Sequence, residues 1–340
     1  MLKVGLVGYG FMGGMHSQCY EATGEAKIVA IADVEADRRE AAKAKFGCNV
    51  YATMDEMLAS EKLDIVDICT PTYLHEECVL KAAATGVDIM CEKPMALNVE
   101  SCDRMISAVE KSRAKFMIGQ VIRFWPEYQV TKEIVDSGKY GKVRWVSAKR
   151  LSPPATWAWQ GWLYDESKSG GAILDLHVHD LDYVAYLIGM PKNVKAAGVR
   201  GCGGGIDTAF TTGTGHDNGA VSYAEGSLDM AGYPFSMSLT VVLEKATIKL
   251  DTAAATALII YTADGEEIIP EVPEVSVGAS SETGGNISSL GGYFLELQYF
   301  VNCVKDGKFP DVVTPADARD AVRFCLASKE SIISGETSKL

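Results

Sequence analysis

Residues 4–13 read Val4-Gly5-Leu6-Val7-Gly8-Tyr9-Gly10-Phe11-Met12-Gly13, an apolar run that ends in a glycine fingerprint. Asp33 stands twenty positions after Gly13, at the end of a second apolar run, Lys27–Ala32. Two phosphates can lie against backbone only where no side chain intervenes. Gly8 permits the tight strand-to-helix turn, Gly10 lets the main chain approach a pyrophosphate, and Gly13 lets the helix pack close to the strand. The helix start, at Phe11 and Met12, offers unpaired N–H groups and a positive dipole end. The motif alone is weak; the strand before it, the helix after it and the acid at this distance make it specific.

Outward from this stretch the rhythm continues. Asp64–Cys69 and Val87–Cys91 read as buried strands, with a further strand over Phe116–Val121. Helices are expected over 35–46, 74–84 and 99–112, the first two closed by Gly47 and Gly86. Alternating β and α elements predict an α/β Rossmann domain with a doubly wound parallel sheet over residues 1–122. Ligands of such sheets sit at the carboxyl ends of the strands. The pattern changes after Arg123. Val143–Lys149 reads as a strand, a Trp-, Pro- and Gly-rich stretch follows, and a long helix is expected over 172–188. Alternating strands fill 194–269, with Asn218-Gly219 and Asp264-Gly265 as hairpin turns. Residues 273–292 read as a long loop, and helices close the chain at 293–305 and 315–334. The second domain, 123–340, is thus expected to be α+β with a large, mostly antiparallel open sheet; its last helix is free to pack back on the first domain.

Composition narrows the function classes. The chain has 340 residues, enough for two domains, and 47% hydrophobic residues, enough for two cores. A net charge of −13 argues against nucleic acid and anionic membranes as partners. Nine cysteines, an odd number without a C-x-x-C pair, fit reduced thiols in a cytoplasmic protein. The N-terminus lacks signal-peptide character and no apolar run approaches a membrane span.

Three clusters after strands carry chemistry. Thr70-Pro71-Thr72-Tyr73-Leu74-His75 either lines a dinucleotide or is an ordinary strand-to-helix loop. Glu92-Lys93-Pro94 either places a cation at the ligand edge, fixed by a cis Lys–Pro bond, or is a surface salt pair before a capping proline. In Gly170-Gly171-Ala172-Ile173-Leu174-Asp175-Leu176-His177-Val178-His179-Asp180, the double glycine permits close backbone approach. On one continuous helix Asp175 and His179 would be i and i+4 and share a face, suiting proton exchange by His179 with Asp175 as its orienting partner. His177-x-His179 with an aspartate also resembles a zinc pattern. On a helix, however, the two rings point about 200° apart, and nothing completes the set. No metal is expected. Trp125, Tyr128, Trp157, Trp159 and Trp162 bracket this region; aromatic faces suit sugar C–H groups and equally suit core packing. Gln120 lies near the end of the strand over Phe116–Val121 and Arg123 follows it, at the ligand edge.

The glycine fingerprint, Glu92-Lys93-Pro94, and Gly170-Gly171 with Asp175-x-x-x-His179-Asp180 together resemble the glucose–fructose oxidoreductase, inositol dehydrogenase and rhizopine-catabolism (Gfo/Idh/MocA) family. The resemblance spans the chain. It implies an NAD- or NADP-dependent dehydrogenase acting on a sugar, cyclitol or related polyol. Lys93, Asp175 and His179 match the family's catalytic set. Thr70, Pro71, Leu74, His75, Glu92, Lys93 and Gln120 fall where members line the cofactor, beside Gly8, Gly10, Phe11, Met12, Gly13, Asp33 and Arg38. Arg123, Trp162 and Tyr293 join Lys93, Asp175 and His179 as expected substrate contacts. The chain departs from the pattern at Leu243-Glu244-Lys245-Ala246-Thr247, where many members carry a Gly-rich hairpin, and at His177, often a small residue; both bear on the substrate pocket.

Asp33 suits the adenosine ribose hydroxyls, and its charge repels a 2′-phosphate. NAD is therefore expected over NADP; Arg38 could supply a cation for such a phosphate, but lies a helical turn further on. A homodimer or homotetramer through the second domain's sheet is expected. Two other functions compete: a non-catalytic NAD-binding sensor, and a lyase or hydrolase that uses NAD transiently.

Overall fold

The computed structural model describes residues 1–201, 205–275, 277 and 290–340. The described chain divides into two compact units, one of Met1–Phe124 with Val275–Arg319, the other of Trp125–Glu274 with Asp320–Leu340. Most of the loop expected at 273–292 lies outside the described residues.

The first unit is built on six parallel strands: β1 (Leu2–Val7), β2 (Ala26–Ala32), β3 (Asn49–Tyr51), β4 (Ile65–Ile68), β5 (Asp88–Cys91) and β6 (Phe116–Ile118). Their order is β3-β2-β1-β4-β5-β6. The order reverses between β1 and β4, the crevice where such sheets take dinucleotides. Val4, Leu6, Ile28, Ile31, Ile65, Ile68 and Ile89 are buried, which is why these strands read as continuous apolar runs. The connecting helices are α1 (Phe11–Thr23), α2 (Ala36–Phe46), α3 (Met54–Ser60), α4 (His75–Thr85) and α5 (Val99–Ser112). β3 and α3 were not expected. α3 is held by a capping box in which Thr53 Oγ1 accepts from the Glu56 N–H and the Glu56 carboxylate accepts from the Thr53 N–H. The strand expected over 116–121 ends at Ile118, and Val121–Phe124 form a 3₁₀ turn.

The second unit opens with α6 (Pro126–Asp136) and β7 (Val143–Leu151). Two short helices follow, α7 (Glu166–Ser169) and α8 (Gly171–Asp175), and then α9 (Val178–Ile188). The single helix expected over 172–188 is therefore broken. The His177 N–H reaches back to the Ala172 carbonyl and the His179 N–H to the Leu176 carbonyl, so the i→i−4 ladder is lost at the junction. Strands β8 (Asn193–Arg200), β9 (Ile206–Thr214), β10 (Val221–Ser227), β11 (Ser236–Leu243), β12 (Ala246–Asp251), β13 (Leu258–Thr262) and β14 (Glu267–Ile268) complete the sheet with β15 (Ser338–Lys339). The order is β14-β13-β12-β11-β7-β10-β9-β8-β15, antiparallel except for the parallel β7–β10 pair. Gly219 and Gly265, at φ +78° and +86°, make the two hairpin turns expected there.

The closing helices are α10 (Gly291–Asp306), which packs on α1 in the first unit, and α11 (Pro315–Ser334). Among the described residues no helix is long and apolar enough to cross a membrane.

Candidate functional site

In the first unit the expected cofactor residues gather along one edge. The ladder continues one residue beyond the strands: the Gly8 N–H donates to Ala32, Cys69 to Val7, Glu92 to Ile68 and Gly119 to Cys91. Each of the residues that follow is thereby pinned at a strand's carboxyl end. Gly8 has φ +90°, and a Cβ there would press on the Cys69 carbonyl at 2.8 Å. A Cβ on Gly13 would collide with the Gly8 carbonyl oxygen. At Gly10 the nearest side-chain atom, Arg38 Nη1, is 3.6 Å from where a Cβ would stand, so the backbone there is open to a ligand. Gly8 and Gly13 thus make the tight turn and the close helix packing expected of them.

Asp33 is anchored to the same turn. Its carboxylate accepts from the Tyr9 N–H at 2.7 Å and from the Glu35 N–H at 2.8 Å. Arg38 Nη1 lies 3.7 Å from Asp33 Oδ2, bringing the cation to the acid as well as to Gly10. Arg39 donates to the Asp33 carbonyl at 2.7 Å and closes the loop.

The loop after β4 is held from inside. The His75 ring nitrogens face the Thr70 and Pro94 carbonyls, both at 2.9 Å. Burial lowers the His75 pKa, against the pull of the two carbonyls. His75 thus ties Thr70 to Pro94, and the Lys93–Pro94 bond is cis. Pro71 opens the 3₁₀ turn Thr72–Leu74. Thr70 Oγ1 and both amide atoms of Gln120 are buried with no hydrogen-bond partner among the described residues. Buried polar groups rarely stay unpaired, so these atoms are spare capacity at the ligand edge. Arg123 is turned inward: its guanidinium donates to the Val312 carbonyl at 2.7 Å and meets Asp317 at 3.3 Å. Tyr293, on α10, is buried with its ring 6.3 Å from that of His16.

Sequence reasoning overlooked a buried charge cluster beneath the glycine turn. His16 Nδ1 lies 2.8 Å from Asp67 Oδ2, and Nε2 lies 2.9 Å from Glu92 Oε1. The first is an aligned hydrogen bond; the second is a charge contact off the N–H axis. Burial alone would lower the His16 pKa, but Cys69 and Asp67 outweigh it and hold the ring well above the ordinary histidine range. Burial also opposes ionisation of Glu92; His16 and Lys93 overcome it and keep that carboxyl below the usual range.

The second unit holds Asp175 and His179. Asp175 ends α8 and His179 is the second residue of α9, so the shared face of one helix does not relate them. Gly170 and Gly171 are both left-handed, at φ +76° and +73°, and a Cβ on Gly170 would strike Leu174. Next to His179, Asp180 forms a buried pair with Arg150 of β7. His177 is buried too: Nε2 is 3.0 Å from Thr211 Oγ1, and Gly226 lacks a Cβ where one would stand 2.6 Å from Nδ1. Burial, with Arg150 adding to it, lowers its pKa to about 3. Trp162 packs on Ala155, Ala158 and Leu163. Glu244, in the variant hairpin, seals the start of β7: its N–H donates to the Lys142 carbonyl and its carboxylate accepts from the Lys142 N–H at 3.1 Å.

Comparison with known proteins agrees with this arrangement. Residues 2–120 match the oxidoreductase family with an NAD-binding Rossmann fold, and residues 128–249 match the GFO/IDH/MocA C-terminal domain. The chain is 27% identical to a myo-inositol 2-dehydrogenase of Thermotoga maritima, over 100% of this chain and 98% of that protein. It is 33% identical to a 2,7-anhydro-N-acetylneuraminate hydratase of Mediterraneibacter gnavus, over 57% of this chain and 51% of that protein. The chain thus spans about half the length of relatives such as the hydratase. The crystal structure of a probable dehydrogenase from Thermotoga maritima superposes with a TM-score of 0.83 at 26% identity, over 99% of this chain and 98% of that one. NAD suits the residues on the first unit's edge: open backbone at Gly10, an anchored acid for ribose hydroxyls, and a spare buried amide at Gln120. The chain belongs to the Gfo/Idh/MocA family of NAD-binding oxidoreductases.

Proposed function

We propose that the protein is an NAD-dependent dehydrogenase acting on a CH–OH group of a sugar, cyclitol or related polyol. The observation that carries this reading is the edge of the first sheet, where Gly8, Asp33, Thr70, Glu92-Lys93 and Gln120 each follow a strand's carboxyl end. Full-length similarity to a named inositol dehydrogenase supports the substrate class. Residues 1–122 would bind NAD and residues 123–340 the substrate.

When bound, NAD supplies the hydride acceptor at nicotinamide C4. Gly8, Gly10, Phe11, Met12 and Gly13 would hold its phosphates, Asp33 and Arg38 its ribose, and Thr70, Pro71, Leu74, His75, Glu92 and Gln120 the remainder. His179 takes the hydroxyl proton, and Asp175 orients its ring. The Lys93 ammonium stabilises the charge that develops on the oxygen. Arg123, Trp162 and Tyr293 complete the assignment as substrate contacts.

The test is NADH formation against a panel of inositols, hexoses and anhydrosugars, repeated with Lys93→Ala and His179→Ala. Full turnover by either variant would overturn the assigned roles. The similarity to a named hydratase favours one second reading, in which NAD is reduced and reoxidised within a cycle that ends in addition or loss of water. Product formation without net NADH would select it.

The eight described cysteines are free, which fits the proposed reducing cytoplasm. Trp145 and Val221 are register partners on β7 and β10 and are each 42% exposed, which supports a homodimer or homotetramer through this sheet. Light scattering that shows only monomer would remove that assembly.

A further inference from the structure

Of the charges beneath the glycine turn, Glu92 is read above as a cofactor contact, while His16 and Asp67 have no part in that reading. His16 stands three residues beyond Gly13 on α1 and, like Asp67 in β4, is fully buried. β4 is buried along its whole length, Asp67 included. A neutral imidazole has a single N–H and can serve one carboxylate. Here a carboxylate lies against each ring nitrogen, at 2.8 and 2.9 Å. Only the imidazolium serves both, as a hydrogen bond to Asp67 and a charge contact to Glu92. Cys69 Sγ lies 3.4 Å from Nδ1, and the buried Tyr20 of the same helix faces Asp67. Glu92 is held on its other sides as well. Its Oε2 accepts the Lys93 N–H at 3.0 Å, and its carboxyl carbon lies 3.4 Å from where a Cβ on Gly119 would stand.

We propose that His16 is a positioning residue: shared as an imidazolium between Asp67 and Glu92, it fixes the Glu92 carboxylate and, through the Lys93 N–H, the lysine that the reaction uses. This rests on the reading of Lys93 as catalytic. A histidine on the cofactor-turn helix would then set the reactive end of the strand two places along the sheet.

The first test needs no substrate. In ¹⁵N-histidine-labelled protein loaded with NAD, the His16 ring is identified by the signal lost in His16→Gln. It should keep both nitrogens protonated well above the pH at which a free histidine loses its proton. A neutral tautomer at neutral pH, or a stoichiometric divalent metal in the purified protein, would overturn the proposal. Because this titration is read on the unmodified chain, a variant that misfolds does not spoil it. The second test is kinetic. His16→Gln should lower kcat about tenfold or more, a larger loss than it causes in NAD affinity. The same substitution should add nothing in a Lys93→Ala background; an equal further loss there would refute the link. Normal turnover by His16→Gln beside an inactive Lys93→Ala enzyme removes the positioning role alone. Normal turnover by Lys93→Ala removes the catalytic reading and this one with it.

Discussion

Arg150 and Asp180 meet as a two-pronged ion pair, Nε to Oδ2 at 3.0 Å and Nη2 to Oδ1 at 3.2 Å, with both side chains at most 3% exposed. The pair joins the carboxyl end of β7 to the residue beside His179. Burial raises the Asp180 carboxyl, and the guanidinium only partly offsets it. Removing one partner strands the other charge. Asp180→Asn should therefore cost about 3–5 kcal/mol in urea unfolding. The double replacement Arg150→Met with Asp180→Leu should recover much of that loss. Equal losses in the single and double variants would show that packing, not stranded charge, sets the cost.

Two adjacent glycines of α1 should behave oppositely. A methyl on Gly13 collides with the Gly8 carbonyl, a backbone atom that cannot step aside, whereas one on Gly14 meets nothing within 4 Å. Gly13→Ala should abolish NAD binding in calorimetry and lower Tm. Gly14→Ala should leave binding intact and gain about 0.5–1 kcal/mol from helix propensity.

Asp33 holds the Tyr9 N–H, and Arg38 sits beside both Asp33 and Gly10. Asp33→Ser should raise kcat/KM for NADP by about tenfold or more while lowering that for NAD, because Arg38 then faces a 2′-phosphate without the acid. Arg38→Ala in the Asp33→Ser background should cancel the gain. Comparable kcat/KM for both cofactors in the unmodified protein would contradict the preference.

His177 couples stability to pH. Its folded pKa, about 3, lies below that of an unfolded histidine, so the unfolded chain takes up the proton first. Stability from this residue is complete above about pH 6.5 and falls with pH down to about 3, at up to about 1.4 kcal/mol per pH unit. His177→Gln should flatten this part of the urea-midpoint profile between those limits. A profile parallel to that of the parent protein would show that His177 titrates freely.

The parallel sheet was legible because its strands are buried on both faces and bounded by glycines. The hairpins announced themselves at Asn218-Gly219 and Asp264-Gly265. The break between α8 and α9 was not legible: the apolar period runs from Ile173 through Leu181 without pause, and only tertiary packing of His177 against β9 and β10 interrupts it. β3 was too short to show, although the Thr53-x-x-Glu56 signal for α3 was there to be read. The partnership of His16 with Asp67 joins residues 51 apart and becomes visible only when β4 is placed beside β1. Its trace in the sequence was an aspartate inside Ile65-Val66-Asp67-Ile68, where a doubly buried strand should carry no charge.

The glycine doublet at 170–171 has a practical corollary for altering substrate scope. Both residues use backbone angles that other amino acids resist, and Gly170 also has Leu174 where a side chain would go. The stretch that delivers Asp175 and His179 is therefore a fixed mount, intolerant of diversification. A library that randomises Trp157, Trp159 and Trp162 while sparing the doublet would vary the neighbouring surface and leave the mount as it is.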